Sequence, residues 1–105
     1  MPQVVYTQQA LTDLERLRNF LLIVAPKKVG EAIDLIFDKL DVLERTPLLG
    51  TLESHPTFPG LRKFVIPYGK NGYIAIYKYD EKTDTVMIET IRHMRELEAD
   101  FLRNK

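Results

Sequence analysis

The chain contains no cysteine and only two histidines, His55 and His93. Without cysteine it has no disulfide framework, no thiolate zinc site, no iron–sulfur cluster and no cysteine nucleophile. Two histidines cannot form a three-histidine zinc site. The sequence also lacks a glycine-rich phosphate loop, a His-Glu-x-x-His motif and a Gly-x-Ser-x-Gly motif. We therefore expect no metal and no cofactor, and we do not expect a serine- or metal-dependent hydrolase.

Long apolar runs and an excess of charge of either sign are missing as well. The longest apolar stretch, residues 20–26, falls far short of the roughly 18 residues that span a bilayer. The first residues have neither the basic nor the apolar segment of a signal peptide. Fifteen basic and fifteen acidic residues cancel, whereas proteins that live on nucleic acid are usually basic. We expect a cytoplasmic protein without membrane contact and without sequence-specific DNA binding of its own.

What the chain does contain is typical of one globular domain. It has 105 residues, of which 45% are hydrophobic and 29% are charged. A chain of this length buries about two-thirds of its unfolded surface and needs no covalent staples. We therefore expect a single domain, residues 1–105, around one hydrophobic core.

The first half of the sequence predicts a strand and two helices. Residues 3–6 favour a strand, and Thr7 is a suitable N-cap for the next element. Apolar residues recur every three or four positions over residues 8–24, which predicts an amphipathic helix. Pro26 ends that helix and opens a second one, over residues 26–46. Because the link between them is so short, we expect an antiparallel helical hairpin.

The second half predicts a loop and three strands. Residues 47–60 are rich in proline and glycine and indicate a loop. Strands are expected over residues 61–66, 73–79 and 85–91, joined by short turns. The tail, residues 94–105, favours a short helix with Leu97 and Phe101 facing inward. The predicted class is α+β: a strand, a helical hairpin, and a three-stranded antiparallel meander with the helices on one face, followed by a short C-terminal helix.

Candidate functional residues gather on the predicted meander. Arg62 opens its first strand and His93 closes its last. Arginine binds phosphate or carboxylate with a planar fork, and histidine transfers protons near neutral pH. Together with stacking tyrosines, such residues would suit a metal-free RNA-cleaving surface.

Each candidate also has a structural interpretation. Arg62 is as well explained by a surface ion pair. Tyr73, Tyr77 and Tyr79 share one face of their strand, and packing in the core is the favoured role for them. His93 suits a hydrogen-bonded strand end as well as it suits catalysis.

Taken in order, several segments make the chain resemble the RelE/ParE superfamily of bacterial type II toxin–antitoxin toxins. Each segment is weak alone, and their order and spacing make the resemblance specific over nearly the whole chain. It begins with the strand-to-helix opening and closes with Ile91-Arg92-His93-Met94-Arg95. The segments are residues 6–14, 25–26, 43–50, 60–62, 72–77 and 91–95.

The resemblance implies two helices against a small antiparallel sheet, and it implies a protein partner. Toxins of this superfamily are held inactive by a co-encoded antitoxin, whose disordered segment folds as it wraps the toxin. On this reading the partner is a cognate antitoxin. The antitoxin-binding residues expected by resemblance are Leu11, Leu14, Arg18, Leu61 and Phe64.

The superfamily divides into RelE-like members, which cut mRNA on the ribosome, and ParE-like members, which inhibit DNA gyrase and are not nucleases. RelE-like nucleases are strongly basic, carry lysines along the second strand, and often have arginine at the position of Ile74. Here the charge is neutral and apolar residues follow Lys63. His93 and the long helical hairpin resemble the ParE-like branch, which we favour.

In the ParE-like interpretation the chain is a gyrase-binding toxin with no catalytic residues. Residues that contact the target are then expected to be Arg62, Lys63, Tyr77, Arg92, His93 and Arg95. One alternative is a RelE-like ribosome-dependent endoribonuclease that uses Arg62, His93 and Arg95 for catalysis. A second alternative is a non-toxic relative that binds the antitoxin or regulates its own operon. An exposed apolar face on the hairpin would equally serve a homodimer.

Overall fold

A computed structural model describes residues 2–53 and 58–95 of the chain. The sequence forms a mixed α+β domain in which two helices pack against one face of a five-stranded sheet. This confirms the predicted fold class. The elements are β1 (Gln3–Tyr6), α1 (Gln8–Val24), α2 (Val29–Asp41), β2 (Thr51–Leu52), β3 (Arg62–Tyr68), β4 (Asn71–Asp80) and β5 (Thr85–His93).

The sheet has the order β1-β5-β4-β3-β2. Strands β3, β4 and β5 form the antiparallel meander that the sequence predicts. The sheet is nevertheless mixed and larger than expected, because β1 pairs in parallel with β5 and β2 adds a short antiparallel edge to β3. The sequence does not reveal the parallel pairing, because about 80 residues separate β1 from β5 and no short turn joins them.

Helix α1 begins as the sequence predicts, and α2 is shorter than expected at both ends. Thr7 caps α1, because its hydroxyl accepts the backbone N–H of Ala10 at 3.1 Å. Short 3-10 turns, Pro26–Lys28 and Val42–Glu44, flank α2 at either end. Leu43 lies in the second turn and is fully buried. The apolar period therefore continues past the last α-helical residue, which explains why the sequence predicts a longer helix.

One hydrophobic core lies between the helices and the sheet. The helices contribute small and aliphatic side chains, and the sheet contributes two fully buried tyrosines, Tyr73 and Tyr77. The expectation that these tyrosines pack rather than stack on a ligand is confirmed. The other core residues are Ala10, Leu14, Leu17, Leu21, Val29, Ala32, Ile36, Leu40, Leu43, Ile66, Ala75, Val86, Ile88 and Ile91.

The β3–β4 hairpin turns more tightly than the sequence suggests. Tyr68 pairs with Asn71, so that the turn consists of Gly69 and Lys70 alone. Gly69 has a φ of 61°, a conformation that glycine adopts without steric cost. Both strands therefore extend further toward the turn than predicted. The predicted inward positions Leu97 and Phe101 lie outside the described residues.

None of the helices in residues 2–53 and 58–95 is long and apolar enough to cross a lipid bilayer.

Candidate functional site

The edge of β5 beyond the end of β1 is covered by side chains from α1. Asp13, only 1% exposed, accepts the backbone N–H of Ile91 at 3.1 Å and the hydroxyl of Thr90. Arg16 donates to the carbonyl oxygen of Ile91 at 3.4 Å and to Asp13 at 3.3 Å. An acid and a base one helical turn apart thus satisfy both backbone groups of one edge residue, as a further strand would.

An open cleft lies beside this sealed edge, between α1 and the end of β5. It has a volume of about 240 Å³ and is lined by Arg16, Phe20, His93 and Arg95. The His93 Nδ1 accepts the backbone N–H of Arg95 at 3.1 Å. Its ring also meets Tyr73 edge-on, with 5.4 Å between the ring centroids. These two contacts fix the orientation of the imidazole at the cleft.

The chemistry of the cleft suits an anionic group next to an apolar one. The Arg95 guanidinium offers a planar hydrogen-bond fork for a carboxylate or a phosphate. Arg16, which is bonded to Asp13 and Ile91, adds a second positive charge. Phe20 is 51% exposed and supplies an aromatic surface. A cleft that combines arginine with an exposed aromatic ring has the composition of an interaction hot spot.

The opposite edge of the sheet holds a polar clamp formed by Arg62, Gly50 and Tyr77. Arg62 donates to the carbonyl oxygens of Gly50 at 2.8 Å and Leu48 at 3.3 Å. The backbone N–H of Gly50 donates to the Tyr77 hydroxyl at 2.8 Å. These bonds hold the segment before β2 against β3 and β4, so that Arg62 binds the chain's own backbone.

The next predicted contact residues, Lys63 and Arg92, both lie on one face of the sheet. Lys63 opposes Ile76, and Arg92 opposes Ile74. Directly opposed residues share a face, so these two bases lie on the face turned away from the helices. The Lys63 ammonium group lies 3.6 Å from the Glu53 carboxylate. The structure therefore does not bring Lys63 and Arg92 together with His93, which lies on the helix side.

Two predicted contact residues are buried in the core, which corrects the sequence-based assignment. Tyr77 was expected to contact the target and is 0% exposed, and Leu14 was expected to contact the antitoxin and is 8% exposed. Burial raises the pKa of Tyr77, against the smaller lowering effects of the Gly50 hydrogen bond and the Arg62 charge. Both residues lie on the core-facing side of their element, where large apolar side chains are buried by packing.

The other expected antitoxin contacts lie on two separate elements. Leu11 and Arg18 are exposed on α1. Leu61 lies just before β3 and Phe64 within it, and both are half-buried. Phe64 also packs against the core.

Sequence reasoning missed Asp13, Arg16 and Phe20. Asp13 carried a detectable signal, because it falls on the buried stripe of α1 between Ala10 and Leu17. A carboxylate at such a position must find hydrogen-bond donors, and it therefore marks a polar contact with the sheet. Arg16 and Phe20 gave no signal, since only the packing of α1 across β5 places them beside His93.

Within residues 2–53 and 58–95, no group of three or more His, Cys, Asp or Glu side chains is placed to hold a metal ion.

Comparison with known proteins establishes the family. Residues 4–98 match the family described as the ParE toxin of the parDE type II toxin–antitoxin system. The chain belongs to the ParE toxin family. It is also 33% identical, over 96 residues, to "Toxin RelE3" of Caulobacter vibrioides, an alignment that covers 91% of this chain and 98% of that protein. The chain is thus a toxin of the ParE/RelE superfamily of type II toxin–antitoxin systems.

Solved toxin–antitoxin structures share the fold of this ParE-family chain. The chromosomal ParDE system from P. aeruginosa has a TM-score of 0.70 at 18% identity, covering 90% of this chain and 97% of that one. The RelBE2 toxin–antitoxin complex from Mycobacterium tuberculosis has a TM-score of 0.57 at 25% identity, covering 89% and 99%. The shared fold of the ParE-family chain does not by itself separate the two activities.

Proposed function

We propose that this ParE-family chain is a binding toxin that arrests growth in the cytoplasm by inhibiting DNA gyrase. On this proposal it cleaves no nucleic acid, and the cleft of Arg16, Phe20, His93 and Arg95 is its target-contacting surface. The observation that carries the proposal is the separation of Arg62 from His93. An endoribonuclease that uses Arg62 together with His93 would need both side chains at one phosphate.

Strand geometry sets that separation. Arg62 opposes Tyr77, and His93 opposes Tyr73, four residues away on the intervening strand β4. With about 3.3 Å per residue along a strand and about 4.8 Å between strands, the two Cα atoms lie about 16 Å apart. The Arg62 guanidinium is also held by the carbonyls of Leu48 and Gly50. With the Arg62 guanidinium bonded to this loop and His93 at the cleft beside α1, the two side chains do not converge on one phosphate.

The composition of the cleft supports recognition of a protein target. An exposed aromatic ring flanked by arginines contributes to binding through contact area and charge, and it needs no proton transfer. We expect its target to present an acidic side chain beside an apolar one. Single substitutions in such a surface weaken binding without abolishing it.

A RelE-like endoribonuclease is the second candidate, and one observation favours it. The relative at 33% identity is named "Toxin RelE3". His93 and Arg95 line one cleft, so that these two residues remain available for general acid–base and phosphate-binding roles without Arg62.

We also propose a cognate antitoxin as the partner of this chain. The solved structures that share its fold include a ParDE system and RelBE toxin–antitoxin complexes. The exposed residues Leu11 and Arg18 and the half-buried residues Leu61 and Phe64 remain candidate contacts for it.

Pulse labelling of DNA and protein synthesis tests the target. The chain is induced in a bacterium that lacks the antitoxin, and both syntheses are followed over the first minutes. The gyrase proposal expects DNA synthesis to fall first while protein synthesis continues, and purified toxin should then block gyrase supercoiling. An early fall in protein synthesis with cleaved mRNA would establish the endoribonuclease instead. Growth without arrest would identify a non-toxic relative.

Two cleft variants sharpen the test. Arg95→Ala and His93→Gln should each weaken gyrase inhibition about tenfold, the effect of losing one good contact. Arg45→Ala, a change at an exposed arginine outside the cleft, is the matched control and should leave inhibition unchanged. Complete loss of activity in His93→Gln, with the fold intact, would indicate chemistry rather than contact.

A further inference from the structure

One exposed stripe of α1 takes no part in the cleft or in the core. It consists of Leu11, Glu15, Arg18 and Leu22, which are all exposed, with Leu11 and Leu22 at 48% and 46%. Their spacings of four, three and four residues place them in an arc of about 60° on the helix. This is the spacing of a helix–helix seam.

The stripe has the same pattern read from either end. A leucine stands at each end of the stripe, and Glu15 and Arg18 stand between them. The two leucines are equally far from the point between residues 16 and 17, and so are the two charged residues, which have opposite signs. When two copies of α1 lie antiparallel on a two-fold axis at that midpoint, Leu11 faces Leu22 of the other copy. Glu15 then faces Arg18 of the other copy, and the same two contacts occur twice.

We propose that this stripe, which we name the α1 seam, binds a second copy of the chain as an antiparallel two-fold dimer. Self-complementarity is what such a symmetric interface requires, because one surface patch must match itself after rotation. The charge order is the argument for a second copy over an unrelated partner. A parallel arrangement would oppose like charges, and the antiparallel one pairs them.

The geometry of α1 leaves the cleft open in this dimer. Arg16 and Phe20 project about 150° around the helix from the centre of the α1 seam. The α1 seam runs about 17 Å along the helix, so we expect a dimer of micromolar rather than nanomolar affinity. The proposal does not depend on which target the toxin inhibits.

Charge reversal with rescue is the decisive experiment. Sedimentation equilibrium of the purified 105-residue chain should show a monomer–dimer equilibrium. Glu15→Arg or Arg18→Glu alone should weaken dimerisation at least tenfold, because each places two like-charged pairs in the α1 seam. The double variant Glu15→Arg/Arg18→Glu restores opposite charges and should return the dimer to within about threefold of the wild type.

Two controls keep the proposal falsifiable. Lys39→Glu, at an exposed position on α2, changes the net charge as Arg18→Glu does and should not affect the dimer. Leu22→Asp should abolish dimerisation while circular dichroism shows an unchanged fold. The proposal is overturned by a wild-type chain that stays monomeric at several hundred micromolar, or by a double variant that is no better than the single ones. Weaker antitoxin binding in the single variants of a monomeric chain would instead assign the α1 seam to the antitoxin.

Discussion

Arginine side chains at the two edges of the sheet have different roles: one holds a loop, and the others line a cleft. At the β2–β3 edge, Arg62 donates to backbone carbonyls of the loop before β2, and the Tyr77 hydroxyl accepts the backbone N–H of Gly50 in that loop. At the β5 edge, Asp13 binds the backbone N–H of Ile91. Arg16 reaches both Ile91 and the cleft that His93 and Arg95 line.

The difference shows that an arginine's role depends on what else can satisfy the nearby backbone. The loop before β2 turns its carbonyl oxygens toward Arg62, which is therefore held in a structural contact. The β5 edge already has a buried carboxylate for its N–H, so that the neighbouring cationic and aromatic groups line an open cleft. We expect loss of stability from changes at both edges, and loss of activity with an intact fold only at the β5 edge.

The largest expected effect is at the β5 edge. Asp13→Ala leaves the Ile91 N–H and the Thr90 hydroxyl without their acceptor and should lower the free energy of unfolding by about 3 kcal/mol. Urea denaturation followed by circular dichroism measures it. Asp34→Ala, which removes an exposed carboxylate on α2, is the control and should change stability by less than about 0.5 kcal/mol. A loss below about 1 kcal/mol for Asp13→Ala would mean that the edge is not sealed by this carboxylate.

At the other edge, adding one methyl group at Gly50 in the clamp should lower stability nearly as much as Asp13→Ala. In Gly50→Ala the new Cβ would lie 2.7 Å from Tyr77 Cε1 and 2.9 Å from the carbonyl oxygen of Lys63, so that the loop must move. We expect destabilisation by about 2 kcal/mol in thermal or urea melts. Gly30→Ala is the matched control, since Gly30 lies in α2 with nothing within 4 Å of its added Cβ. It should stabilise the protein by about 0.5 to 1 kcal/mol.

Arg62 and Arg95 should differ in whether their loss affects stability or activity. Arg62→Ala removes two hydrogen bonds to carbonyl oxygens and should cost about 1 to 2 kcal/mol of stability. Arg95→Ala should change stability by less than about 0.5 kcal/mol and yet weaken growth arrest. Paired melting and toxicity assays measure both properties. If Arg62→Ala removed activity without loss of stability, Arg62 would be a target contact after all.

The smallest effect is expected at Tyr6, in the strand that flanks β5. Its hydroxyl is buried without a hydrogen-bond partner in the described structure, so Tyr6→Phe should leave stability at pH 7 within about 0.5 kcal/mol or raise it. Burial, with the charges of Asp41 and Glu44, raises the pKa of Tyr6 to about 12 from 10.0. Because the folded state holds this proton more tightly, stability should fall as pH rises from 10 to 12. Tyr6→Phe should reduce that slope, and an unchanged slope would contradict this assignment.

The sequence predicts the fold well where contacts are local. Thr7 capping α1, the apolar stripes of both helices and the β3–β4–β5 hairpins all depend on residues close in the chain. The parallel pairing of β1 with β5 and the short strand β2 are missed, because each depends on a partner distant in sequence or on only two residues. The site is predicted less well. His93 and Arg95 lie in the cleft, but Tyr77 lies in the core and Arg62 in the clamp.

The sequence by itself determined the class, the absence of cysteine chemistry, the amphipathic faces and the family, because composition, periodicity and ordered motifs are properties of the chain. Only the tertiary structure decided which polar residues are available. Arg62 and Arg95 are the same residue type near strand ends, and nothing local distinguishes them. The distinction arises because a loop carbonyl reaches one guanidinium, while α1 satisfies the β5 backbone through Asp13 and leaves a cleft beside the other.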